Sequence, residues 1–116
     1  MMNKFKNLIP YSHKITVYIP STDGVKTETN NEKWVTACAT LLSNCFGGAT
    51  STKATGYWVS DSEGLVKEHP TLVFAFADNE NFEKKIDLII DFCYNMKKEL
   101  KQEAIATEID GKMYFI

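Results

Sequence analysis

The amino-acid sequence predicts an α+β fold of the ferredoxin-like split βαβ kind: β-α-β-β-α-β plus a C-terminal hairpin strand, an antiparallel sheet with two helices on one face. Three observations predict it. Ile15, Val17 and Ile19 alternate with Thr16 and Tyr18, the period of a strand with one buried face. The run Leu72 to Ala77 is apolar at every position, as a central strand covered on both sides would be. Two stretches of helical period, one before and one after a strand pair, complete the order.

The chain has 116 residues, enough for one domain to bury a core without metal or disulfide staples. We divide it into an N-terminal arm, 1–13, and a single α+β domain, 14–116. The arm mixes Lys4 and Lys6 with Phe5, Leu8 and Ile9 and keeps no period. The first strand follows, ended by Pro20, which cannot donate to a sheet ladder. Ser21 to Thr29 is polar, contains Asp23-Gly24 and reads as a loop.

A first helix starts at a cap on Asn30 or Asn31, and Trp34, Cys38, Leu41 and Cys45 repeat along it, widened by Val35, Leu42 and Phe46. Gly47-Gly48 stops it. Ala49 to Val59, rich in threonine and closed by Tyr57 and Trp58, reads as a strand that Gly56 can bend. After the turn Asp61-Ser62-Glu63-Gly64, a strand returns from Leu65 to Ala77 with a break or bulge at Pro70. Asp78 or Asn81 caps a second helix, along which Phe82, Ile86, Ile89, Cys93, Met96 and Leu100 keep the three-four spacing. Glu80 and Glu83 near its start and Lys97, Lys98 and Lys101 near its end suit the helix dipole. Glu103 to Ile109 is a further strand, Asp110-Gly111 a hairpin turn, and Met113 to Ile116 the last strand.

In this topology the first and third strands are central and one sheet face is left without helices. Tyr18 and one register of Leu72 to Ala77 lie on that face, so a second copy of the chain or a ligand is expected to cover it. The loops 21–30 and 78–81 are expected at one end of the sheet, where Ser21, Thr22 and Asp23 could contribute polar contacts.

A net charge of −2 gives no general attraction to nucleic acid. No apolar run is long enough to span a bilayer and the first stretch lacks the apolar core of a signal peptide, so a cytoplasmic protein is expected. Cys38, Cys45 and Cys93 fall on apolar helix faces and read as small core residues in a reducing compartment. Neither a cofactor nor a metal is implied by the residue inventory.

The stretch Cys45 to Trp58 concentrates the unusual residue choices. Gly47 and Gly48 are followed by Thr50, Thr52 and Lys53, which could offer backbone and side-chain donors to a phosphate, and Tyr57 or Trp58 could stack on a base. These seven residues are the candidate ligand site. The plainer reading is a helix cap, an edge strand and core or interface aromatics. His13, His69, Asp61 and Glu63 are the available acid-base groups, and no spacing assembles a nucleophile, a base and its orienting partner.

The segments Val17-Tyr18-Ile19-Pro20-Ser21-Thr22, Phe46-Gly47-Gly48-Ala49-Thr50, Gly56-Tyr57-Trp58-Val59-Ser60, Gly64-Leu65-Val66-Lys67-Glu68 and Met113-Tyr114-Phe115-Ile116 resemble a family of short uncharacterised proteins of bacteria, phages and other mobile elements. The resemblance implies a setting in which small proteins counter host defences, and it brings no catalytic residues with it. Together with the inventory it leads to an expectation: a non-enzymatic, homo-oligomeric binding protein that sequesters a nucleotide-like ligand. The alternatives are an inhibitor that binds a defence protein through an exposed sheet face, and a small dimeric ferredoxin-like enzyme using His69 or a carboxylate as base.

Overall fold

A computed structural model describes residues 3–25 and 27–116; Met1 and Met2 of the expected arm and Lys26 of the expected loop lie outside the described residues. Strand β1, His13–Ile19, pairs antiparallel with the strand Thr71–Ala77 along its whole length, from His13 opposite Ala77 to Ile19 opposite Thr71. These are the two central strands that the hydrophobic patterns predict.

In chain order the elements are β1, a small ribbon of β2 (Thr22–Asp23) and β3 (Thr27–Glu28), helix α1 (Glu32–Phe46), β4 (Thr50–Lys53), β5 (Gly56–Ser60), β6 (Gly64–Glu68), β7 (Thr71–Ala77), helix α2 (Asn79–Glu99), β8 (Ala106–Ile109) and β9 (Lys112–Phe115). The main sheet has the order β4-β7-β1-β8-β9, all antiparallel. This is the ferredoxin-like arrangement with the terminal hairpin strand added.

The core lies between this sheet and the two helices. Ile15, Val17, Ile19, Val73, Ala75 and Ala77 from the sheet meet Cys38, Leu42, Cys45 and Phe46 of α1 and Ile89, Cys93 and Met96 of α2, all buried. Trp34 and Phe92 meet edge to face at 5.9 Å and close the seam between the helices. On α1 the buried stripe runs through Leu42, while Leu41 is only partly covered. Gly47 takes the left-handed cap, at φ 97°, and donates to Ser43 O at 2.8 Å.

Several expectations are corrected. The strand expected over Ala49 to Val59 breaks at Ala54-Thr55, and its return breaks at His69-Pro70, so the outer halves β5 and β6 form a separate two-stranded hairpin. The physical cause is Pro70, which has no N–H to give; its carbonyl instead accepts from Ala54 N at 2.9 Å. Because β1 and β7 are antiparallel, the loops that follow them lie at opposite ends of the sheet, not at one. His13, assigned to the arm, is the first residue of β1. At the start of α1 the two asparagines divide the work: Asn30 Oδ1 accepts from Glu32 N at 2.9 Å, and Asn31 Nδ2 donates to Pro20 O at 3.0 Å. In the expected strand Glu103 to Ile109 only Ala106–Ile109 is regular, although Ile105 still exchanges two backbone hydrogen bonds with Ile116.

Candidate functional site

Where the hairpin β5–β6 leaves the sheet, two concavities adjoin. One is a polar cleft of about 820 Å³ between the start of α1 and the end of β4, lined by Ser21, Asn30, Asn31, Ser51, Thr52, Lys53, Thr55 and His69 among others. The other is a groove of about 500 Å³ on the helix-free side, walled by Tyr18, Tyr57, Trp58, Leu72, Ile105 and Phe115, with Glu68 and Gln102 as polar groups. Ala54 and Thr55 line both, so the two meet at the root of the hairpin, and together they are called the trough below. Each volume falls in the range of about 300–1,000 Å³ usual for small-ligand sites.

The local sequence explains the trough. The breaks at Ala54-Thr55 and His69-Pro70 swing β5 and β6 out of the plane of the sheet, and the space left at their root is the groove. Gly56 lies against the Pro70 ring, where a Cβ would sit 3.8 Å from Cδ. Ser21 Oγ accepts from His69 N at 3.2 Å and ties the end of β1 to the hairpin's second break. In the hairpin Trp58 lies opposite Val66 and Gly56 opposite Glu68, which puts Trp58 and Glu68 on one face. The indole Nε1 donates to Glu68 Oε1 at 2.9 Å. At the other wall, the Gln102 amide sits 3.0 Å from the carbonyls of Thr22, Gly24 and Leu100 and fixes the β2–β3 ribbon to the end of α2.

The seven residues singled out in the sequence divide among three places. Thr52 and Lys53 line the polar cleft, and Tyr57 and Trp58 line the groove. Gly47, Gly48 and Thr50 border a separate depression of about 470 Å³ at the opposite end of β4, with Tyr11, Phe74 and Phe76. The seven therefore do not form one site: two lie in the cleft, two in the adjoining groove and three at the far end of β4. The residues that sequence reasoning missed are Glu68 and Gln102, whereas Tyr18, expected on the helix-free face, lines the groove there. A carboxylate in a Gly-Leu-Val-Lys-Glu strand looks solvated until the hairpin register sets it beside an indole.

His13 is held elsewhere, at the far end of β1. Nδ1 is 2.7 Å from Asp110 Oδ2, Nε2 is 3.0 Å from Asn79 Oδ1, and the ring stacks on Phe82 at 4.0 Å. Its hydrogen bonds to Asp110 and then Asn79 raise its pKa above the ordinary histidine value. The thiols are core groups: burial pushes Cys38 up to about 12 and raises Cys45 and Cys93 as well. Among the described residues no helix is long and apolar enough to cross a membrane.

The sequence matches no family model. No curated protein matches it either. Two solved structures share the fold over the whole chain. One is a phage SAM lyase in complex with S-methyl-5'-thioadenosine, at a TM-score of 0.66 and 18% identity over 100% of this chain and 95% of that one. The other is a phage SAM lyase in the apo state, at a TM-score of 0.66 and 16% identity over 100% of this chain and 94% of that one. These likenesses overturn the expectation of a non-enzymatic binder, because both of these structures, which share the fold from end to end, are of an enzyme. The expectation rested on the absence of an assembled base and nucleophile in the sequence.

Proposed function

We propose that this chain is an enzyme that cleaves SAM, the sulfonium compound S-adenosylmethionine, to methylthioadenosine in the trough at the root of the hairpin. The observation that supports the reading most is the make-up of the groove: aromatic walls around a single carboxylate, Glu68, held by Trp58 Nε1 at 2.9 Å. A flat adenine and a sulfonium both suit aromatic faces. The neighbour that holds methylthioadenosine lends the substrate class.

The chemistry asks little of the side chains. An oxygen of the substrate's own carboxylate attacks its Cγ, the Cγ–S bond breaks and its electron pair goes to sulfur. The products are the neutral thioether methylthioadenosine and a lactone, with no proton gained or lost. The protein's part is to hold the substrate curled for this attack and to keep water out. Because a carboxylate and a sulfonium annihilate their charges, a site less polar than water favours the transition state. A protein carboxylate at the sulfonium would oppose that loss of charge. Glu68 is therefore assigned to the substrate's ammonium, which stays charged throughout, so that its role is to fix the tail. Thr52 and Lys53 in the adjoining cleft face the polar end of the nucleoside.

Self-association across the open sheet face belongs to the same reading, supported by Phe76, Met113 and Phe115, all substantially exposed there. So does a cytoplasmic setting, where SAM is made, and the mobile-element setting, in which consuming SAM deprives host methyl transfer of its donor. The test is incubation of the purified protein with SAM, followed by mass spectrometry of the products. Methylthioadenosine with a four-carbon lactone is expected; the open-chain hydroxy acid instead would mean that water attacks, and intact SAM would refute the proposal.

A further inference from the structure

We propose that Lys101 binds the carboxylate of the substrate's amino-acid tail, in a further concavity that opens beyond the Trp58 and Glu68 pair. This inference rests on the proposed cleavage of SAM and says where the tail goes. The concavity has a volume of about 580 Å³ and is lined from the β2–β3 ribbon, the β5–β6 hairpin and the segment after α2. Trp58, Glu68, Gln102 and Phe115 line both it and the groove, so the two spaces adjoin at Glu68. The end of α2 places Lys101 there. Gln102 N donates to Lys97 O at 2.9 Å and Lys101 N to Lys98 O at 3.3 Å, a helix end that turns through a left-handed residue. Lys101 is that residue, at φ 52°, where glycine is the usual choice. Its Nζ is 3.7 Å from Asp23 Oδ1, with the two side chains 76% and 42% exposed. So open an ion pair is weak, and a substrate carboxylate can take the place of Asp23.

The chemistry of the tail selects this lysine. In an amino acid the ammonium and the carboxylate share one carbon, so they lie about 2.5 Å apart from nitrogen to carbon. With the ammonium at Glu68, the carboxylate must find its counter-charge in a space that Glu68 borders. Among the described residues lining the groove and this concavity, Lys101 is the only cation; Lys53 lines the polar cleft, which Glu68 does not. Asp61 and Glu103 line the concavity as well, so it carries more carboxylates than cations. SAM carries two positive charges and one negative, the complementary balance. Lys101 stabilises the bound substrate more than the transition state, because the attacking carboxylate loses its charge. Its role is therefore selection: it favours SAM over methylthioadenosine, the tail-free product, and keeps the product from occupying the site.

The experiment is calorimetric titration of the full chain with S-adenosylhomocysteine and with methylthioadenosine, two thioethers that differ only in carrying or lacking the tail. The homocysteine compound is expected to bind more tightly. Lys101→Met and Lys101→Gly should each weaken it about fivefold, as fits an exposed ion pair, and leave the affinity for methylthioadenosine unchanged; Lys101→Arg should restore it. Lys101→Gly also removes the left-handed strain, so its melting temperature should equal or exceed that of the wild type, which separates lost binding from lost fold. In turnover of SAM the same two variants should raise KM with kcat undiminished. Methylthioadenosine binding as tightly as the homocysteine compound, or variants that weaken both ligands alike or neither, overturns the assignment of Lys101 and leaves the proposed activity standing. If neither compound binds and SAM stays intact, the proposed activity falls and this inference with it.

Discussion

Trp58 Nε1 donates to Glu68 Oε1 at 2.9 Å across the β5–β6 hairpin, two residues that sequence separates by ten positions and strand register brings to one face. The bond fixes the carboxylate in the wall of the groove and engages one of its two oxygens. It also couples the aromatic wall to the charge, so that a change in either alters the other's position.

Glu68→Gln keeps the shape and the acceptor for the indole but removes the charge. If Glu68 orients the substrate ammonium, kcat/KM for methylthioadenosine release should fall by about 10²-fold or more, as for loss of one preorganised electrostatic contact. Trp58→Phe keeps the charge and frees it to move, and should cost about tenfold. Melting curves of both variants should match the wild type, because neither residue belongs to the core. Unchanged turnover in Glu68→Gln would take Glu68 out of the site.

Much of the fold was legible because its signals are local. The alternate residues Val73, Ala75 and Ala77, the stripe from Phe82 to Leu100 and the Gly47 cap each report a burial or a backbone need that a few neighbouring residues reveal, whereas the cover expected on the other face of Leu72 to Ala77 is incomplete, with Phe76 51% exposed. The site was less legible, because it depends on where two strands break. Pro70 announced an interruption, but nothing nearby said that both halves would leave the sheet together and open a groove. The binder reading is overturned by the likeness of the whole fold to phage SAM lyases, which the residue inventory could not reveal because it reported only that no base and nucleophile are assembled.

The latch at His13 makes stability depend on pH. The folded-state pKa of His13 is raised, by its bond to Asp110 first and Asn79 second, so its contribution is fully present below about pH 6.5 and is lost as pH rises through the raised value. Burial pulls Asp110 upward, but its bonds to His13 and Lys14 N outweigh this and hold it below the ordinary carboxylate value. Its contribution is present above about pH 3.9 and fades as pH falls through the lowered value. The pair should therefore stabilise most between these limits. Urea midpoints of wild type and His13→Gln should differ most near pH 5 and converge by pH 8; a constant gap would mean that His13 acts through its stack on Phe82 alone.

Gln102→Ala leaves the carbonyls of Thr22, Gly24 and Leu100 without their shared donor in a partly buried place. A loss of about 1–3 kcal/mol is expected, seen as a melting temperature lower by roughly 5 °C or more. Gln102→Glu should be worse, since a carboxylate would face three carbonyl oxygens. If the two variants melt alike, the amide is not what holds the ribbon to α2.

The three thiols should be silent in the folded protein. Cys38, Cys45 and Cys93 are buried, and burial raises each pKa, that of Cys38 to about 12. At pH 8 a thiol of that pKa is thiolate about a thousandfold less often than an ordinary cysteine, and the alkylating reagent must also reach it. Cys93 Sγ, 3.5 Å from Thr107 Oγ1, is enclosed between α2 and β8. Labelling with iodoacetamide should then proceed no faster than the chain opens, with Cys45, at 6% exposure the least buried of the three, reacting first. In denaturant all three should label together and at ordinary rates. Fast labelling of Cys38 in the native protein would show that α1 opens locally, and would place the weak point of the fold on the helix that flanks the polar cleft.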